Sequence, residues 1–109
     1  MRIYQLVQGD QAPQIQAVLT RDDDGSVINF SGGSCALKFR AKDTTTVLFT
    51  LAAADVSDKF QNGIAIFSFS GTQLDIDAGY YEGEIEITHA NGTIETVFAV
   101  LNFYLRADF

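Results

Sequence analysis

A lone cysteine, Cys35, rules out an intramolecular disulfide and a cysteine-based metal cluster. It fits a chain made in a reducing cytoplasm. A lone histidine, His89, leaves a histidine metal site or a catalytic triad without a second member. Tryptophan is absent while phenylalanine occurs nine times, so the expected core is filled by rings without polar handles. Basic residues are few: seven against fourteen acids, a formal charge of −7. An acidic surface repels phosphate backbones and anionic lipid, which disfavours nucleic-acid and membrane partners. No apolar run reaches the length of a membrane span, and Met1-Arg2-Ile3-Tyr4-Gln5 has no signal-peptide layout. No Gly-x-Ser-x-Gly elbow and no glycine-rich phosphate loop opening a helix is present.

What is present is alternation. From Tyr81 to Thr88 the residues Tyr81, Gly83, Ile85 and Ile87 fall on one side, and Glu82, Glu84, Glu86 and Thr88 on the other. Successive side chains of a strand point to opposite faces, so this reads as a strand with one dry and one wet face. Residues 34–42 alternate likewise, with Cys35, Leu37 and Phe39 inward and Lys38, Arg40 and Lys42 outward. Opposite charges on neighbouring strands predict that this basic stripe lies beside the acidic one.

Further strands are expected at residues 2–8, 14–21, 26–30, 47–53 and 64–70. Pro13 precedes the second, where its missing N–H is tolerated. Asp22-Asp23-Asp24-Gly25, Asn62-Gly63 and Asn91-Gly92 are turn signals, the last a hairpin. Residues 52–59 read as neither clear helix nor strand. The last segment, 93–108, would span roughly 50 Å as one straight strand, too long for a small domain, so a break is expected at Asn102. Apolar residues on both faces of 64–70 and of 93–108 require cover beyond one core face, from a second layer or a partner chain. Turns about every ten residues and no convincing helix predict one all-β domain, a sandwich or barrel.

Each reactive residue type has a plain structural role. The Asp22–Asp24 turn lacks the spaced ligands and closing glutamate of a calcium loop, and Asp75 with Asp77 has no third ligand nearby. Glu82, Glu84 and Glu86 suit an exposed strand face better than acid–base chemistry. Cys35 reads as an inert core thiol and His89 as a loop residue. The sequons at Asn29 and Asn91 are read as chance.

The order of motifs resembles a known family. Val7-Gln8-Gly9-Asp10, Pro13-Gln14-Ile15, Val27-Ile28-Asn29-Phe30-Ser31-Gly32, Leu37-Lys38-Phe39-Arg40, Asn62-Gly63-Ile64 and above all Ala78-Gly79-Tyr80-Tyr81-Glu82-Gly83-Glu84-Ile85 look like the N-terminal domain of the phage baseplate upper protein family. The similarity runs over essentially the whole chain. It implies an immunoglobulin-like antiparallel β-sandwich of about seven to nine strands, without cofactor or metal. The function implied is non-enzymatic, a virion structural protein made in the host cytoplasm. Its partners would be other virion proteins, met in several copies in the tail or baseplate. A capsid or neck accessory protein is the alternative, and a carbohydrate-binding module using Tyr80, Tyr81 and Tyr104 a further one. The expected contact surface is the terminal strands, 2–8 and 102–109, with Ile3, Tyr4, Leu6, Phe103, Tyr104, Leu105 and Phe109 as its apolar residues.

Overall fold

The computed structural model describes residues 3–9, 14–21, 23–54, 59–70, 72–96 and 100–107. They form an all-β, immunoglobulin-like sandwich. Its strands are β1 (Ile3–Val7), β2 (Gln14–Val18), β3 (Ser34–Ala41), β4 (Val47–Ala52), β5 (Ile64–Ser68), β6 (Gly79–Thr88), β7 (Ile94–Thr96) and β8 (Leu101–Arg106), with one 3₁₀ turn at Phe60–Asn62. Six strands make one sheet in the order β1-β8-β6-β3-β4, with β7 beside β6; β2 and β5 make the second.

The stripe of glutamates lies where the alternation places it. β6 pairs antiparallel with β3, Glu84 opposite Lys38 and Glu82 opposite Arg40. Tyr81, Gly83, Ile85 and Ile87 are buried, against Cys35, Leu37 and Phe39 from β3. The opposing layer supplies Ile15 and Ala17 from β2, and Ala65 and Phe67 from β5 followed by Phe69. Phe39 is the hub, with Phe49, Tyr81 and Phe103 at 4.7, 5.2 and 5.1 Å between ring centres and Phe69 edge-on at 5.7 Å. Phe49 and Tyr81 stack on Phe39 near-parallel, while Phe103 and Phe69 meet it tilted and edge-on. Tyr81 also donates its hydroxyl to the Asp77 carbonyl, four residues upstream. That closure is the tyrosine corner of immunoglobulin-type sandwiches.

Three expectations need correction. Residues 26–30 do not form a strand; only one bridge, Thr20 to Val27, joins them to β2's extension. Ile28 N–H to Leu19 O at 2.9 Å and Arg21 N–H to Ser26 O at 2.8 Å flank that bridge, but the Phe30 N–H goes to Phe60 O at 3.1 Å and Asn29 Oδ1 takes the Ser31 N–H at 3.0 Å, so the ladder stops there. The last segment does break, but not at Asn102, which lies inside β8. β7 and β8 occupy successive stretches of the same β6 edge, pairing with Glu86–Thr88 and Gly79–Gly83. Finally, the sandwich is not wholly antiparallel: β1 runs parallel to β8, Ile3 beside Asn102 through Val7 beside Arg106.

Candidate interaction surface

The parallel pairing decides which terminal residues can meet a partner. On β1 the inward positions are Tyr4 and Leu6, and on β8 they are Leu101, Phe103 and Leu105. Leu6, Phe103 and Leu105 are 4, 0 and 0% exposed. They belong to the domain's own core, which corrects their assignment to a partner surface. Tyr4 is half-buried, its ring 5.5 Å from Phe103. Phe109 lies outside the described residues.

The outward positions carry what remains of that surface. Ile3 is 42% exposed, Gln5 is exposed, and Tyr104 is half-buried directly opposite both Gln5 and Tyr80. Tyr80 is 58% exposed, its ring 4.9 Å from that of Tyr104 and tilted 46° to it. Lys42 Nζ stands 5.8 Å over the Tyr80 ring, and the Lys42 N–H donates to Tyr80 O at 3.1 Å. Sequence reasoning grouped Tyr80, Tyr81 and Tyr104 as one aromatic platform. The structure brings Tyr80 and Tyr104 together and puts Tyr81 in the core, because neighbours along a strand face opposite ways.

Beside this apolar corner the same face is an ion-pair lattice. Lys38 Nζ is 3.1 Å from Glu86 Oε2, and Arg40 Nη1 is 3.5 Å from Glu84 Oε2. Arg40 Nε is 3.5 Å from Glu82 Oε1, close enough for an ion pair but without a hydrogen bond. Each glutamate thus faces a cation, with Glu82 and Glu84 sharing Arg40.

At the far end, Glu95 bridges two elements. Its carboxylate meets Arg21 Nη1 at 3.0 Å and His89 Nε2 at 2.9 Å. The His89 hydrogen bond, with Arg21 beside it, holds Glu95 below the ordinary carboxylate range. Asp24 is a turn residue, taking both the N–H and the hydroxyl of Ser26 at 2.9 and 2.7 Å. Cys35 is buried, and burial pushes its thiol up to about 12. A thiol so protonated is no nucleophile. Among the described residues no three histidine, cysteine, aspartate or glutamate side chains group to hold a metal ion. No helix in them is long and apolar enough to cross a membrane.

Comparison with solved structures finds this sandwich elsewhere. The N-terminal domain of phage TP901-1 ORF48 matches at a TM-score of 0.63, with 99% of this chain and 86% of that one covered at 15% identity. The chain shares the fold of a phage protein domain. CopC from Methylosinus trichosporium OB3b matches at a TM-score of 0.51, covering 98% of this chain and 86% of that one at 11% identity. The PmoD soluble domain from a Methylocystis species matches at 0.50, covering 94% and 77% at 16% identity. At such identities these likenesses speak for the fold. No protein-family model matches the chain, and no curated protein does.

Proposed function

We propose that this chain is a non-enzymatic structural protein of a phage virion that works by protein–protein contact in the tail or baseplate. A place in the neck or on the capsid is the alternative setting for the same kind of contact. The observation that supports the reading most is the whole-length fold likeness to the N-terminal domain of a phage protein. The surface agrees with it: Glu82, Glu84, Glu86, His89, Asp24 and Cys35 are engaged in ion pairs, a turn or the core, while the exposed Tyr80 ring stands with Tyr104 at one corner of the larger sheet. Tyrosine suits such a contact because it buries a large ring at small entropic cost and keeps a polar end.

The proposed contact residues are Ile3, Gln5, Tyr80 and Tyr104. Leu6, Phe103 and Leu105 support them from beneath. The test is mass spectrometry and immunogold labelling of purified particles made by the genome that encodes the chain. Tail or baseplate labelling is the expected result, and absence from particles refutes the reading. Tyr80→Ala should then lower the copies per particle while leaving the thermal midpoint of the isolated chain unchanged. A carbohydrate-binding module remains a second reading because Tyr80 and Tyr104 form an exposed ring pair. Glycan-array binding that is lost in Tyr80→Ala would favour it.

A further inference from the structure

Among the described residues the six-stranded sheet has edges at β1, at β4 and at the three-residue β7, which carries Glu95. Natural edges are guarded by lysine, proline, inward charge or a bulge, because an unpaired row of N–H and C=O groups recruits another strand. β1 reads Ile-Tyr-Gln-Leu-Val and β4 reads Val-Leu-Phe-Thr-Leu-Ala, with no charge and no proline in either. The guards are local: a register shift, opposite Phe39 and Arg40, places an extra residue at Leu48, the Gly9 N–H just past β1 goes to Leu74 O at 2.9 Å, and the Ala54 N–H just past β4 goes to Ile66 O at 2.9 Å. From Phe49 to Ala52 β4 is regular.

The strand directions make the β1 and β4 edges complementary. β8 runs with β1, β6 against them, β3 with them again and β4 against. A β4 strand laid on the open edge of β1 in a continued sheet therefore runs antiparallel to it. Had β1 been antiparallel to β8, the two edges would run the same way.

Backbone direction agrees. The Gln8 N–H donates to Arg106 O at 2.9 Å, so the even residues of β1 point at β8 and Ile3, Gln5 and Val7 point outward. In β4 the odd residues serve β3, as the Ala53 N–H to Cys35 O bond of 2.8 Å shows, and Thr50 and Ala52 point outward. Gln5, Thr50 and Ala52 are exposed, and both sets of side chains lie on the outer face. Placing Gln5 opposite Thr50 sets Ile3 opposite Ala52 and brings Val7 near Leu48.

The complementary direction and outward residues of the two edges point to a second copy as occupant, and charge does not oppose it locally. Each copy has a net charge of −7, so like charges across an interface would repel. Neither β1 nor β4 carries an acid, and the strand next to β4 carries Lys38 and Arg40, already balanced by glutamates. The edges also hold exposed apolar area in Ile3 at 42%, Val47 at 42% and Leu48 at 47%. We infer that β1 of one copy pairs with β4 of a second, continuing the sheet from copy to copy. The inference rests on the proposed role as a virion protein present in several copies. A head-to-tail contact of this kind makes a ring if its rotation closes and a filament if it does not.

Cysteine cross-linking tests it in the full chain. Hydrogen-bonded antiparallel partners sit about 5.5 Å apart at Cα, within disulfide range. Native Cys35 is buried and does not compete. Gln5→Cys and Thr50→Cys, mixed and oxidised, should give a cross-linked dimer, and the double variant a ladder of higher species; each single variant alone should give no cross-linked species. Thr50→Lys in sedimentation should shift any concentration-dependent oligomer to monomer. Thr50→Cys dimerising by itself would mean a two-fold β4–β4 contact and overturn the proposal. So would the absence of a ladder both in solution and in particles, with both variants melting like the parent. Particle localisation without cross-linking removes the pairing and keeps the virion role; cross-linking without localisation does the reverse.

Discussion

Gly83→Ala should destabilise the protein although alanine is the better residue for an ordered chain. Gly83 is buried on the inner face of β6, between Tyr81 and Ile85. A methyl group there would stand 2.6 Å from Leu37 Cδ1 and 2.9 Å from Phe103 Cε2. Neither neighbour can swing away freely: both are 0% exposed, and Phe103 is packed against Tyr4, Phe39 and Phe69. Overpacking of this kind costs about 1–3 kcal/mol. The lower entropy of an unfolded alanine chain offsets about 0.5–1 kcal/mol of that. The net loss is then about 0–2.5 kcal/mol, and its midpoint corresponds to a melting shift of roughly 5–10 °C for a domain of this size. Urea unfolding followed by circular dichroism should show a lower midpoint with an unchanged slope. The cause is checked in a Leu37→Val background, which removes the Cδ1 tip. There the cost of Gly83→Ala should fall by the share due to Leu37 while the Phe103 contact persists, a coupling visible in a double-mutant cycle. Equal costs in both backgrounds, or a stabilised single variant, would refute the packing argument.

Tyr81→Phe should cost about 0.5–1.5 kcal/mol by the same assay, since the ring stays and only the hydrogen bond to Asp77 O is lost; a variant as stable as the parent would remove the corner from the account. Burial raises the Cys35 thiol to about 12 from 9.0, and the Tyr81 hydroxyl is raised too, by burial and by Asp77. The folded chain therefore keeps protons that the unfolded chain loses, so this contribution is intact below pH 9 and is lost as the pH climbs toward 12. The stability difference between the parent and Cys35→Ala should shrink over that range in pH-dependent urea titrations, and a constant difference would contradict it. Glu95 is shifted the other way, so its contribution is present above the unfolded value near 4.5 and disappears as the pH falls through and below it. Glu95→Gln should be less stable than the parent at pH 7, with the gap closing in acid; a gap that does not narrow as the pH falls below 4.5 would count against the Arg21–Glu95–His89 bridge.

The sequence was most legible where one face of a strand is apolar and the other charged. β3 and β6 have that pattern, and their faces and the side-by-side placing of their charged stripes follow from it. It was least legible where both faces are apolar, because period-two alternation then no longer says which side is inward. Leu6, Phe103, Leu105 and Tyr104 all read as apolar terminal residues, yet three fill the core and one faces out. The failure at residues 26–30 has a different origin. Ile28 and Phe30 are buried as a strand would bury them, but their backbone bonds go to Leu19 and to the Phe60 turn. Burial periodicity reports side chains and is silent about where the donors go.

The parallel register of β1 on β8 is the feature that local pattern could not supply, since strand direction is a property of the whole topology. It also has the widest consequences. Parallel docking sets Tyr4 and Leu6 into the core beside Phe103 and Leu105, which turns Ile3, Gln5 and Tyr104 outward on a common face with Tyr80. It reverses the direction of one sheet edge relative to the other, so that β1 and β4 suit each other across a copy boundary. Both the aromatic corner and the open edge thus depend on one choice of strand direction. A substitution that loosens β1 without touching the outer face, such as Leu6→Ala, should cost about 2–5 kcal/mol of stability. Under conditions where the rest of the domain stays folded it should also abolish Gln5–Thr50 cross-linking, detected on non-reducing gels. Cross-linking that survives detachment of β1, seen as loss of hydrogen-exchange protection in β1 alone, would mean that the edge acts without its sheet and that topology is not what presents it.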